Sequence, residues 1–127
     1  MPNRISVETS ECAGYLRVSL AGDFPQQMPD AVDLHASLHV LSRGSGHTRY
    51  LVDITGIGQR LGIPATFEYA SIAFPEEPDP VRTAVLDRPE NLLAGRFFES
   101  LMQNRGRAFR MFSDEAEALE WLLSDKN

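Results

Sequence analysis

A glycine-rich stretch at residues 50–66, YLVDITGIGQRLGIPAT, has the residue types of a phosphate-binding turn. It follows an apolar run and precedes a helix-like segment, and backbone amides at the start of a helix can bind phosphate. The dinucleotide spacing G-x-G-x-x-G fails, however, because Leu61 stands where the third glycine is required, and Pro64 removes a further amide donor. We therefore interpret the glycines as residues that let the chain turn when it leaves a buried strand, and we predict no cofactor.

Other residue types that could support chemistry are sparse. His35 and His39, four residues apart on a predicted helix, could bind one metal ion, but no further ligand is placed by spacing and a structural metal site usually needs four. We therefore predict no metal site. Asp53 is the one carboxylate placed in an apolar setting, and we expect it to accept amides of its own turn. No Ser-His-Asp or Cys-His arrangement is indicated, so we predict that the protein is not an enzyme.

The composition is that of an ordinary globular protein. The chain has 127 residues, of which 43% are hydrophobic and 24% charged, and we predict a single domain over residues 1–127. The net charge of −6 disfavours nucleic acid and anionic lipid head groups, which attract basic surfaces. A single cysteine, Cys12, excludes an internal disulfide bond. No secretory signal or membrane-spanning stretch is evident, so we predict a cytoplasmic protein without stable membrane insertion.

After an opening pair of strands, predicted helices and strands alternate along the chain. Alternating or continuous apolar residues predict five strands, at residues 5–8, 15–21, 48–54, 81–86 and 108–112. Apolar residues at spacings of three and four predict four helices, which begin near Pro25 or Pro29, at Pro64, at Pro89 and at the cap Ser113 or Asp114. The order ββαβαβαβα predicts an α/β fold with an opening antiparallel hairpin and otherwise parallel strands. The strand at 48–54 scarcely alternates, so we expect it in the middle of the sheet and covered on both faces.

This order resembles that of the STAS family, which includes anti-sigma-factor antagonists, and it is most similar to a bacterial STAS/SEC14-like branch. The segments that carry the resemblance are VDITGI, VRTAVL and NRGRAFRMFSDEAEALEWLL. The family pairs a D-x-[ST]-G strand exit with a second turn whose serine is phosphorylated by a kinase-like partner. Asp53, Thr55 and Gly56 fit the first element. The second falls at residues 61–64, which read LGIP, and the nearest hydroxyl belongs to Thr66. We therefore predict that the phospho-acceptor serine is absent.

The resemblance implies a non-enzymatic regulatory module that binds a protein partner or associates with itself as a homodimer. The SEC14-like branch implies an alternative, a carrier or sensor of an apolar small molecule or lipid. Apolar side chains that could line a slot for such a ligand are Phe67, Tyr69, Ile72, Phe74, Phe98 and Met102. We predict the working surface at Asp53, Thr55, Gly56, Thr66, Phe67 and Phe74. Residues 76–80 and Asp87 form a predicted acidic rim beside it.

Overall fold

The computed structural model describes residues 5–73 and 81–124 of the chain. Five strands form one sheet in the order β1-β2-β3-β4-β5. Their bounds are β1 Ile5–Cys12, β2 Tyr15–Gly22, β3 Arg49–Ile57, β4 Arg82–Leu86 and β5 Ala108–Phe112. The first two strands are antiparallel, and each later strand is parallel to its neighbour. The predicted mixed sheet and the central position of the third strand are therefore confirmed.

Four α-helices connect or follow the parallel strands. Their bounds are α1 Met28–Gly44, α2 Ile63–Ala73, α3 Leu92–Asn104 and α4 Glu115–Leu122. A short 3-10 turn at Pro89–Asn91 precedes α3, so the predicted start at Pro89 is the start of this turn. Asp114 caps α4, because its carboxylate accepts the amides of Ala116 and Glu117. The predicted order and number of helices are confirmed.

Two predicted boundaries on the sheet are wrong. The first strand continues to Cys12, because β1 pairs with β2 over its whole length and leaves only Ala13 and Gly14 for the turn. The third strand continues to Ile57, three residues beyond its predicted end. In both cases the strand continues through polar residues or glycine, which an apolar pattern does not detect. Pairing with a neighbouring strand does not require an apolar side chain.

The helices cover the two faces of the sheet unequally. On one face, α4 packs on the central strands, where five residues form a compact core: Leu51, Ala84, Leu86, Ala118 and Leu122. The other helices lie on the opposite face. There α3 packs closely on β5, whereas α1 and α2 lie close mainly to each other and, through α2, to α3. The site described below lies on this second face.

Candidate functional site

The glycine-rich stretch at residues 50–66 begins with most of β3, which contains a β-bulge. In the pairing of β2 with β3, Ser19 lies opposite Asp53 and Ala21 lies opposite Gly56, so two residues of β3 face one of β2. A Cβ atom at Gly56 would lie 3.0 Å from the Cβ of Ala21 and 3.2 Å from the carbonyl oxygen of Leu20. Glycine is thus required here because two backbones approach closely, and not because the chain leaves the strand.

Asp53 maintains this irregular backbone. Its Oδ1 accepts the amide of Thr55 at 2.9 Å and the hydroxyl of Thr55 at 2.7 Å. Its Oδ2 accepts the guanidinium of Arg17 at 2.7 Å, and Arg17 also pairs with Glu115 at the start of α4. The carboxylate therefore supports the bulge in its own strand rather than the turn expected from the sequence, and it lies on the face of the sheet that α4 covers.

The carboxylate that is buried belongs to Asp87, directly after β4. Asp87 is 2% exposed, and Arg60 donates to both of its oxygens, at 2.5 Å and 2.8 Å. The amide of Arg88 donates to Oδ1 at 2.7 Å. The prediction that Asp87 belongs to an exposed acidic rim is therefore wrong, because the ion pair with Arg60 allows its burial. Residues 76–80, the rest of that rim, lie outside the described residues.

A cavity of about 700 Å³ lies between the sheet and helices α1, α2 and α3, and we call it the helix-side cavity. Its floor is the face of the central strands that carries Val52, Ile54 and Val85. Apolar side chains of the helices, including Leu38, Ile72 and Phe98, form its walls. At the carboxyl ends of β3 and β4 it is bounded by Arg60, Asp87 and Asn91. Its volume is within the usual range for small-molecule sites.

The side chains on the cavity floor are incompletely covered. Val52, Ile54 and Thr83 are only half-buried although they lie on the two strands at the middle of the sheet. In a close-packed interior such positions contact the covering helices and exclude solvent. Their exposure indicates that solvent reaches the helix-side cavity.

Several polar groups line the cavity, and one of them is a buried tyrosine. Tyr69 of α2 packs edge-on against Phe24, and its hydroxyl lies 3.3 Å from Nδ1 of His35. Burial raises the pKa of the Tyr69 phenol, so this residue stays neutral at physiological pH. His35 thus contacts a phenol, and within residues 5–73 and 81–124 no group of three potential metal ligands is found.

The residues predicted for the working surface lie in three separate places. Asp53, Thr55 and Gly56 are together on β3, whereas Thr66 lies on α2, where its hydroxyl donates to the carbonyl of Gly62 at 2.8 Å. Phe67 is 52% exposed on the outer side of α2 and does not line the cavity. Phe74 lies outside the described residues. The structure therefore does not assemble these residues into one surface.

The predicted apolar slot is closer to what the structure contains. Tyr69, Ile72 and Phe98 line the helix-side cavity as expected. Met102 does not, because it is fully buried in the core between α3 and the sheet. Sequence reasoning named Asp87 only as part of the acidic rim and missed its pairing with Arg60, 27 residues away. A usable signal was present, since a charged residue next to an apolar strand end often has a partner of opposite charge.

An apolar surface patch lies on the outside of α2 and α3. It consists of Ile63, Phe67, Leu93 and Phe97, and we call it the α2–α3 patch. Ile63 and Leu93 are 60% and 88% exposed, and the rings of Phe67 and Phe97 are 6.4 Å apart. Leu93 thus lies on the exposed side of α3 although it fits the apolar spacing of that helix.

Comparisons with known proteins identify the fold. No protein-family model matches the chain, and no curated protein is significantly similar to it in sequence. Among solved structures, an anti-sigma factor antagonist from Mycobacterium paratuberculosis superposes with a TM-score of 0.65 at 15% sequence identity, over 98% of each chain. No helix within the described residues is long and apolar enough to cross a membrane.

A second solved structure is an uncharacterised protein of the DUF3478 family from Shewanella loihica, described as having a SpoIIAA-like fold. It superposes with a TM-score of 0.52 at 19% identity, over 93% of each chain. At such identities the likeness concerns the fold and not the activity. With its mixed five-stranded sheet and four helices, the chain has the STAS-like fold of the anti-sigma factor antagonists.

Proposed function

We propose that this chain is a non-enzymatic STAS-like binding module that holds an apolar small molecule in the helix-side cavity. The observation that carries the proposal is the cavity itself, about 700 Å³ in front of the central strands and bounded mostly by apolar side chains. From the sequence alone, a protein-binding module came first and an apolar ligand second. We place the apolar ligand first because the cavity is large enough to hold one.

The placement of the helices supports this ligand class. Leu34 of α1 and Ala70 of α2 pack against strands of the sheet, but Val52 and Ile54 stay half-buried, so the space in front of these two residues is not filled. An apolar molecule that enters this space removes the half-buried Val52 and Ile54 from water. Burial of apolar surface contributes roughly 25 cal/mol per Å², so several kcal/mol are available from a molecule of ordinary size.

The charged groups at the cavity favour binding over catalysis. Both oxygens of Asp87 accept hydrogen bonds from Arg60, and one accepts the amide of Arg88 as well. A carboxylate with its oxygens engaged in this way is a poor general base. The neutral phenol of Tyr69 lies beside His35 and supplies no nucleophile at physiological pH. We therefore propose that the ligand is held unchanged.

A fluorescent probe tests the proposal. N-phenyl-1-naphthylamine is neutral and apolar, and its emission rises when it leaves water. We expect saturable binding to the wild-type protein and at least tenfold weaker binding to Val52→Trp, because the indole would project into the middle of the cavity. Val7→Trp is the matched control, since Val7 lies on the same face of the sheet but outside the cavity lining. Equal binding by the two variants, or none by the wild type, would refute the proposal.

The α2–α3 patch favours a second function, docking of a protein partner. Single exposed apolar residues are ordinary, but here Ile63 and Phe67 are four residues apart on α2, as are Leu93 and Phe97 on α3. The structurally similar protein from Mycobacterium paratuberculosis is named for antagonising an anti-sigma factor, which is a protein. We propose a heterologous protein as the occupant of this patch.

Self-association is the competing outcome for the same patch. Sedimentation of the purified protein should show a monomer whose mass does not change in Phe67→Ser. A concentration-dependent dimer that Phe67→Ser abolishes would show instead that the patch joins two copies. Val40→Ser is the control, because Val40 is 72% exposed on α1 and lies outside the patch.

We also propose that Thr66 is not a phosphorylation switch. Its hydroxyl donates to the carbonyl of Gly62 and lies 3.4 Å from that of Leu61, within the first turn of α2. Incubation with host lysate and radiolabelled ATP should give the same labelling in the wild type and Thr66→Ala. Labelling that is lost in Thr66→Ala would contradict this.

A further inference from the structure

Two arginines converge at the polar end of the helix-side cavity, where β3 and β4 end. Nη2 of Arg88 donates to the carbonyl of Ile57 at 3.0 Å, and Nη2 of Arg60 donates to the same oxygen at 3.3 Å. Ile57 and Arg60 both line the cavity. The guanidinium of Arg88 therefore lies at the rim of the cavity, next to that of Arg60.

The two arginines differ in what balances their charge. Both oxygens of Asp87 accept hydrogen bonds from Arg60, so these two side chains form a neutral pair. Within residues 5–73 and 81–124, no carboxylate pairs with the guanidinium of Arg88. The contacts at the rim therefore leave one positive charge in excess.

Other carboxylates lie at this end of the sheet, but they are engaged elsewhere or remain in solvent. Asp23 follows β2 and accepts the amide of Gln59 at 2.9 Å, and Glu90 is exposed in the turn before α3. The protein as a whole has a net charge of −6, but charges more than about 8 Å away are largely screened at physiological salt. An anionic group at the rim is therefore affected mainly by the nearest charge, that of Arg88.

The guanidinium of Arg88 is accessible to a ligand. Arg88 is exposed, whereas Asp87 is 2% exposed. One of the three guanidinium nitrogens donates to the carbonyl of Ile57, and in the described part of the chain no group accepts from the other two. A guanidinium presents its N–H donors in one plane, which matches the two oxygens of a carboxylate. A carboxylate can thus bind Arg88 without separating Arg60 from Asp87.

We infer that the ligand of the helix-side cavity is an aliphatic carboxylate, whose acidic group binds Arg88 and whose chain lies on the floor formed by Val52 and Ile54. This inference rests on the proposed function, because it presupposes that the cavity binds a ligand. Two further arginines of the lining, Arg43 and Arg107, precede β3 and β5 and so lie at the opposite end of the strands. A carboxylate at Arg88 therefore fixes the direction of the chain in the cavity.

Competition against N-phenyl-1-naphthylamine tests the inference. The competitors are laurate and 1-dodecanol, which share a twelve-carbon chain and differ in the charge of the head group. In Arg88→Gln we expect laurate to bind about fivefold more weakly than in the wild type, the effect of one exposed ion pair. Dodecanol and the probe should bind within about twofold of the wild type, because neither carries a charge for Arg88 to pair with.

Arg110→Gln is the matched control. It removes the same charge from an exposed arginine that lies outside the cavity lining, so we expect laurate to bind as it does to the wild type. Equal weakening in Arg88→Gln and Arg110→Gln would overturn the inference, because the overall charge would then determine the affinity.

The remaining results of the competition distinguish the inference from the proposed function. If the probe does not bind, both fail. If the probe binds but laurate does not displace it, or binds equally well to the wild type and Arg88→Gln, the cavity holds ligands and the inference is wrong.

Nuclear Overhauser effects in the wild-type complex with laurate locate the carboxylate without a substitution. We expect contacts from the methylene group beside the carboxylate to the side chain of Arg88, and from the chain to Val52 and Ile54. Contacts of the terminal methyl group with Arg88, or of that methylene group with Arg43 or Arg107, would overturn the inference.

Discussion

The two faces of the central strands are built differently although neighbouring residues of the same strands supply both. Leu51 and Ala84 point toward α4 and are completely buried, together with Leu122 of the helix. Val52 follows Leu51 in the chain, and Thr83 precedes Ala84. Both point to the opposite face and remain half-buried beside the cavity. At these positions one face is packed against α4, whereas the other borders the cavity.

The difference arises from how each helix is attached. A two-residue connection joins β5 to α4, where the Asp114 cap fixes the first turn and the small Ala118 permits close approach to the sheet. By contrast, α1 lies against α2, and their shared contact includes Ala31 and Tyr69. Leu34 of α1 and Ala70 of α2 pack on the sheet, but these helices leave the space in front of Val52 and Ile54 open. Matched substitutions on the two faces test this difference.

Truncation of a leucine on each face should give the largest contrast. Leu122→Ala removes a completely buried side chain of α4, and we expect the free energy of unfolding to fall by about 4 kcal/mol. Leu38→Ala makes the same change on α1 at a half-buried position beside the cavity, and about 1 kcal/mol should be lost. Chemical denaturation measures both, and equal losses would show that the faces are packed alike.

Removal of the buried carboxylate should have the next largest effect. Asp87→Asn leaves the Arg60 guanidinium with its charge uncompensated, and we expect a loss of about 3 kcal/mol. Glu90→Gln, an exposed carboxylate change three residues away, is the control and should lie within about 0.5 kcal/mol of the wild type. A loss below about 1 kcal/mol in Asp87→Asn would mean that the ion pair between Arg60 and Asp87 contributes little to stability.

A larger side chain should cost less stability on the cavity face than on the face that α4 covers. Ala84→Val adds two carbon atoms where α4 packs on the sheet, and we expect it to cost about 2 kcal/mol through overpacking. Val52→Trp adds far more volume but projects into the cavity, so less than about 1 kcal/mol should be lost. Thermal unfolding followed by circular dichroism ranks the two variants. A larger loss in Val52→Trp would contradict the presence of an open cavity.

The smallest expected effect concerns the cap that fixes α4. Asp114→Ala removes the acceptor for the amides of Ala116 and Glu117, at 2.8 Å and 3.2 Å, and we expect a loss of about 1 kcal/mol. Glu120→Ala, exposed on the same helix, should change stability by less than about 0.5 kcal/mol. If the two variants have the same denaturation midpoint, the cap does not stabilise the helix.

Much of the fold could be predicted, whereas the candidate site could not. The apolar run of β3 correctly predicted a central strand, and the Ser-Asp pair before α4 correctly predicted a helix cap. The end of β3 was misplaced because Gly56 resembles a chain turn in sequence, whereas its role is to permit close approach to β2. The exposure of Leu93 could not be predicted, because spacing gives the face of a helix but not whether something covers that face.

The sequence by itself determined which segments are strands and helices, their order, and the middle position of β3. Strands and helices follow from the apolar periodicity within each short segment. The position of β3 follows from its apolar run and from the geometry of crossover connections. Only the tertiary structure decided that Arg60 meets Asp87 across 27 residues and that α1 and α2 leave a space above the sheet. Both depend on distances between elements that are remote in the chain, and no pattern within one segment encodes such distances.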